Sequence, residues 1–306
     1  MAFEKLVVVT RRTRLAELIE RFNSRSQARF YLERAGCDFA DYEKEDAVYR
    51  RALERLHREL ELGLKLQFVD RGYVPTFLFT DKDLIVTAGQ DGLVANTAKY
   101  VGSQPIVAIN PDPERFDGVL MRHSLDGARQ SVERVMAGRH RLLPVTLAEA
   151  RLGDGQSLLA FNDLFVGAAS HVSARYRISL GQATEPHSSS GVIVSTGAGS
   201  TGWLSSMFNM ASGVLAFRGG KPVEPLRLDW SDPRLAFVVR EPFASRTSAC
   251  SLVAGLVEPG QDLRFESLMP SGGVIFSDGV ESDFLAFNSG AVARVAPAER
   301  KAQLVV

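Results

Sequence analysis

The apolar runs of this chain are strand-sized. Residues 6–9, 84–86, 106–109 and 192–194 are unbroken stretches of Val, Ile, Leu and Ala. Runs of three or four such residues fill a buried strand, whereas a membrane-spanning helix needs about 20. Nearly continuous apolar strands are those covered on both faces, as in a parallel sheet flanked by helices. Apolar residues make up 45% of the 306, enough for roughly two domains with cores of their own. Thirty-six Lys and Arg offset 36 Asp and Glu, and a formal net charge of zero gives no pull towards nucleic acid or an anionic membrane.

Glu4 and Lys5 precede the first apolar run and Arg11 and Arg12 follow it, an order unlike a secretory signal. Cys37 and Cys250 form no CxxC and have no His at metal spacing, so the spacing suggests neither a disulfide framework nor a metal site. A soluble protein of the reducing cytoplasm is the expectation.

Strands and helices alternate in the first part. Leu15, Leu18, Ile19 and Phe22 fall on one helical face, and Ala52, Leu53, Leu56 and Leu60 do the same within 46–62, with Gly63 as a C-terminal cap. Further strands are expected at 64–69, 77–79, 84–87 and 106–109, and helices at 93–100 and 124–137. Beyond Gly138 short apolar stretches recur between Gly, Pro, Ser and Asp, among them 164–166, 176–180, 192–195, 235–239, 251–253, 263–266, 273–276, 284–287 and 292–295. One helix, 201–217, interrupts them. This is the pattern of a mainly antiparallel domain. The fold class expected is an N-terminal α/β domain with a parallel-type sheet plus a mainly antiparallel, β-rich C-terminal domain. Domains are expected at 1–123 and 124–290, with 291–306 returning to the first.

Three loops carry candidate chemistry. Gly89-Gln90-Asp91-Gly92 follows a strand and opens a helix, where free backbone N–H groups face an anion and a carboxylate can take a hydroxyl proton. Asp-Gly is also a common turn pair. Asn162-Asp163 sets a carboxamide beside a carboxylate, able to bind ribose hydroxyls or a base edge, or merely to start a strand. Residues 195–203, Ser-Thr-Gly-Ala-Gly-Ser-Thr-Gly-Trp, contain a literal GxGxxG at Gly197, Gly199 and Gly202. Its surroundings lack the βαβ unit of a dinucleotide fingerprint, which leaves a loop rich in hydroxyls and N–H groups, or a capped connector. Gly219-Gly220-Lys221-Pro222 does not complete a P-loop, and Asp278-Gly279 reads as a hairpin turn.

In order and context these loops resemble those of the NAD kinases. Gly89-Gln90-Asp91-Gly92 resembles the GGDGT signature, Asn162-Asp163 the NE/ND pair, and residues 195–203 the STPTGSTAY segment. The stretch 105–115 and the Ser189-Ser190-Gly191 lead-in are closest to the branch typified by the mitochondrial enzyme. Gln90 stands in place of the second glycine, Leu93 in place of the threonine, and Trp203 in place of the tyrosine.

The resemblance implies transfer of the γ-phosphoryl group of ATP, with Mg²⁺, to the 2′-hydroxyl of the adenosine ribose of NAD. It implies a cleft between the domains and a homodimer. Asp91 takes the catalytic position. Gly89, Gly92, Asn162, Asp163, Ser195, Thr196, Gly199, Ser200, Thr201, Trp203 and Ser206 take positions that bind substrate. The alternatives are a lipid or sugar kinase of the same superfamily and a catalytically weak nucleotide-binding protein, in which Gln90 and Leu93 have disabled the donor side.

Overall fold

The computed structural model describes residues 3–306. The chain divides into two compact units, Met1–Leu143 with Gln303–Val306, and Pro144–Ala302.

In the first unit the order is β1 (Lys5–Thr10), α1 (Arg14–Phe22), α2 (Arg25–Arg34), α3 (Phe39–Glu59), β2 (Lys65–Asp70), β3 (Asp83–Ala88), α4 (Asp91–Tyr100), β4 (Pro105–Asn110), the two-residue β5 (His123–Ser124) and α5 (Ala128–Met136). Side chains that accept first-turn amides start the first three helices: Thr13 from Ala16, Ser24 from Gln27 and Asp38 from Ala40. The strands lie parallel in the order β4-β3-β1-β2. Leu6, Val8, Leu84, Val86, Val107 and Ile109 form one apolar layer with Leu56 of α3 and with Ala128, Val132 and Val135 of α5. Each fully buried Val, Leu or Ile contributes about 1.5–3 kcal/mol.

The second unit holds β6 (Leu142–Leu152), β7 (Ser157–Ala160), β8 (Asp163–Ala168), β9 (Ala174–Leu180), β10 (Ala183–Ser189), β11 (Val192–Ser195), α6 (Trp203–Phe217), β12 (Leu235–Val239), β13 (Ala254–Val257), β14 (Leu263–Ser267), β15 (Gly273–Ser277), β16 (Val280–Ala286) and most of β17 (Val292–Val305). One antiparallel layer runs β13-β12-β11-β8-β15-β16 and another runs β10-β9-β14-β17. Val166, Tyr176, Ile178, Val194, Phe237, Phe265 and Phe287 belong to their common core. A parallel α/β unit and an antiparallel β-rich unit are thus the observed fold class.

Several elements differ from the sequence expectation. Residues 77–79 join no strand; they follow a 3-10 turn over Arg71–Thr76, and Asp83 ties the segment back by accepting from the backbone and hydroxyl of Thr80. Helix α2 and strands β7 and β10 were not expected, and the strand expected at 251–253 lies at Ala254–Val257. Residues 124–143 fall in the first unit, because α5 buries its apolar side with β4. The returning segment is residues 303–306, where Gln303 and Leu304 pair in parallel with Pro105 and Ile106.

Candidate functional site

In the first unit the chain goes from β1 outward to β2, then crosses back to β3 on the other side of β1 and on to β4. The strand order therefore reverses between β1 and β3, and in open α/β sheets ligands bind outside the carboxyl ends of the strands at such a point. Tyr49 of α3 sits where those two ends separate. Its buried hydroxyl accepts from the Arg11 amide (3.0 Å) and donates to the Ala88 carbonyl (2.7 Å), and burial pushes its phenol up to about 12.

Gly89, Asp91 and Gly92 come together directly beyond β3. A Cβ on Gly89 would lie 2.6 Å from Leu93 Cδ2, so this glycine makes room for Leu93, which is buried in the threonine position of the resembled signature. Gln90 has φ −120° and ψ 166°, ordinary extended backbone that accommodates a side chain, and it provides no side-chain cap for α4. A Cβ on Gly92 would meet no protein atom within 4 Å. The half-buried Asp91 is the first residue of α4, and its two carboxylate oxygens accept from the amides of Val119 (3.1 Å) and Leu120 (2.8 Å). Asn110 shapes that loop by donating to the Phe116 carbonyl and accepting from the Asp112 amide. A carboxylate has about four lone-pair directions, so Asp91 is fixed in place and can still accept a ligand hydroxyl.

An ion-pair chain surrounds the end of β1. Arg11 and Arg14 bind Glu45 (2.9 and 2.5 Å), and Arg14 and Arg115 bind Asp41 (2.9 and 2.5 Å). Hydrogen bonds from Arg115 and Arg14 hold Asp41 well below the usual carboxylate range. Burial pushes Glu45 upward, but the two guanidinium groups outweigh it and leave its carboxyl lowered. Arg11 also lies over the rings of Tyr49 and Phe116. Sequence reading had no signal for this group, since its members are up to 104 positions apart with no shared motif.

In the second unit the Asn162-Asp163 turn packs against residues 195–203. The Thr196 amide donates to the Asn162 carbonyl (2.9 Å) and the Thr196 hydroxyl to the Phe161 carbonyl (2.6 Å). Ser195 and Ser200 are equally buried and donate to main-chain carbonyls of the loop. A Cβ on Gly199 would come within 2.2 Å of the Asn162 carbonyl and one on Gly197 within 1.9 Å of the Asp229 carbonyl. The first two glycines of the spacing that imitates a dinucleotide fingerprint are thus required by backbone packed on backbone, whereas a Cβ on Gly202 would meet only the Gly199 carbonyl at 3.4 Å. Thr201 and Ser206 are exposed, and the half-buried ring of Trp203 stacks on Phe165 (5.8 Å between centroids) with the Arg240 guanidinium 5.5 Å away. Phe165, Trp203, Arg240 and Phe276 line a pocket of about 410 Å³, which Thr201 and Ser206 do not line.

Asp278 joins this turn although its sequence reads as a hairpin. Its backbone is left-handed (φ 52°), and its carboxylate accepts from three successive amides, Phe161 (2.9 Å), Asn162 (2.6 Å) and Asp163 (3.3 Å). The side chains of Asn162 and Asp163 themselves make no hydrogen bond among the described residues. Burial, reinforced by the negative Asp278, pushes the Asp163 carboxyl up to about 7.

No protein-family model matches the chain, and no curated protein matches it. Solved structures do. Yeast NADH kinase complexed with NADH superimposes with a TM-score of 0.57 and 16% identity over 100% of this chain and 84% of that one. An NAD kinase from Archaeoglobus fulgidus in complex with ATP gives 0.56 and 15% over 99% and 93%. At such identities the likeness establishes a shared fold, that of the NAD kinases.

Proposed function

We propose that the protein is an NAD kinase, transferring the γ-phosphoryl group of ATP to the 2′-hydroxyl of the adenosine ribose of NAD. The observation that carries the proposal is Asp91: a carboxylate clamped by two amides, opening a helix at the topological switch point of a chain with this fold. Phosphoryl transfer asks a protein chiefly for positioning and charge neutralisation. Asp91 accepts or orients the proton of the attacking hydroxyl. Gly89 makes room for Leu93, and Gly92 leaves space that no protein atom fills. Mg²⁺ would enter with the triphosphate and neutralise its charge, and Asp91 is the carboxylate of the glycine loop that could help to hold it.

Asn162 and Asp163 offer NAD a carboxamide and a carboxyl that the protein leaves unbonded. Thr201, Trp203 and Ser206 contact NAD from the start of α6, whereas Ser195, Thr196, Gly199 and Ser200 shape the loop from within. A cytoplasmic homodimer belongs to the same reading. Both thiols, Cys37 and Cys250, are free, and among the described residues no helix is long and apolar enough to cross a membrane.

Incubating the protein with NAD, Mg²⁺ and ATP and detecting NADP with an NADP-specific dehydrogenase tests the assignment. Asp91→Asn should lower turnover about 100- to 10,000-fold. Absence of NADP at high enzyme concentration defeats it. The buried Leu93, with no hydroxyl at that position, favours one second reading, a nucleotide-binding protein without donor chemistry. NAD binding by calorimetry with no ATP-dependent product selects that one.

A further inference from the structure

The segment 134–143, Arg-Val-Met-Ala-Gly-Arg-His-Arg-Leu-Leu, contains three arginines and a histidine and no acid. Helix α5 ends within it. Gly138 adopts φ 67°, and the amides of Gly138 and Arg139 close onto the Val135 and Arg134 carbonyls, which satisfies the end of the helix and turns the chain sharply. The turn brings Arg134, Arg139, Arg141, His123 and His140 to the wall of one pocket of about 370 Å³ in the first unit. None of the three arginines has an ion-pair partner among the described residues. The one acid beside them on α5, Glu133, pairs with Arg129.

His123 is fixed in the wall. A carbonyl can only accept, so Nε2–H donates to the Val305 carbonyl (3.0 Å), and in the neutral ring the Ser131 hydroxyl donates to Nδ1 (2.9 Å). Burial, with Arg134 adding to it, lowers the imidazole from its ordinary value and outweighs the hydrogen bond to the Val305 carbonyl, which raises it. The pocket, which Val305 and Val306 also line, has no Asp or Glu side chain in its wall, and a concave, arginine-rich surface matches the fork geometry by which guanidinium groups bind phosphoryl oxygens. Its volume suits a small metabolite.

We propose that this pocket is a binding site for a small phosphate-bearing anion, held by Arg134, Arg139 and Arg141, and separate from the residues assigned to phosphoryl transfer. It stands independently of the kinase reading, because no residue is shared.

The test uses the full chain, with inorganic phosphate and ribose 5-phosphate as probes, followed by calorimetry and by the imidazole resonances of labelled histidines. The expected result is saturable binding that shifts the His123 and His140 signals and leaves His57 and His171 unmoved. Arg134→Ala and Arg141→Ala, both at exposed and unpaired positions, should each weaken binding about tenfold or more with the thermal melt preserved. Tighter binding of ribose 5-phosphate identifies an organic phosphate as the ligand, and equal binding identifies free phosphate. Binding of neither probe, unmoved His123 and His140 signals, or unchanged affinity in both arginine variants overturns the proposal. Loss of NADP formation in Asp91→Asn has no bearing on any of these readouts.

Discussion

Gly92 and Gly197 show how one residue type does two jobs. A methyl group at Gly92 meets nothing in the protein, whereas one at Gly197 would overlap the Asp229 carbonyl at 1.9 Å. Gly92→Ala should therefore leave the denaturation midpoint within about 0.5 kcal/mol of the parent and still depress NADP formation, because the space it closes serves the substrate. Gly197→Ala should destabilise by more than about 1 kcal/mol, because backbone must shift to admit it. Denaturant melts alongside assays separate the two outcomes. A full loss of stability in Gly92→Ala would remove the argument that this glycine faces a ligand. Asp163 gives a second prediction at this scale. Its carboxyl is pushed up to about 7, so the folded protein binds that proton more tightly than the unfolded chain does. The stabilisation from Asp163 is complete below the unfolded value of about 4 and is lost as pH rises through about 7, each pH unit between those two values removing about 1.4 kcal/mol. Asp163→Asn should flatten the decline in stability between pH 5 and pH 8 and leave the variant at least as stable as the parent at pH 8. Urea melts at both pH values check it, and a parallel decline in both proteins would place the titration elsewhere.

Among the elements, those whose apolar pattern is local were legible in the sequence. The strands at 6–9, 84–87 and 106–109 and the helix expected at 93–100, which begins two residues earlier at Asp91, could be read because each pattern repeats over a few residues. What could not be read depends on partners far away. β10, Ala-Thr-Glu-Pro-His-Ser-Ser, carries no apolar alternation because it is an edge strand and buries only His187 and Ser189. α2 buries only Ala28 and Leu32. In the site, Gly89, Asp91 and the Asn162-Asp163 turn were visible as motifs, whereas Asp278 reaches its three amides across 115 to 117 positions. Tyr49 has a similar role between β1 and β3, and it makes the prediction at this scale. Tyr49→Phe keeps the ring but leaves the Arg11 amide and the Ala88 carbonyl without their shared partner. An unmet buried polar group costs about 1–3 kcal/mol. We expect that loss in the urea midpoint, together with faster hydrogen exchange at the Arg11 amide and reduced turnover from a loosened β3–α4 junction. An unaltered Arg11 amide would mean that the hydroxyl does not bind the strand ends together.

At the level of the whole chain, the final strand belongs to both units. β17 runs from Val292 to Val305, and its first part pairs antiparallel with β14, whereas Gln303 and Leu304 pair parallel with β4. A single strand can do this because pairing direction is set by each neighbour and not by the strand itself. The consequence is that the first unit is completed by the last residues of the sequence. Leu304 is 1% exposed and Val305 lies in the apolar layer with Val107, Ile109 and Val132. Leu304→Ala should cost about 2–5 kcal/mol, the range for removing a buried leucine side chain from a packed core. If the contribution of this residue is confined to the unit in which it packs, hydrogen exchange should quicken in β3, β4 and α5 and remain slow in β8 and β11. Equal quickening in all five elements would show that the chain unfolds as one cooperative body, and the division of its core into two would then be geometric without being energetic.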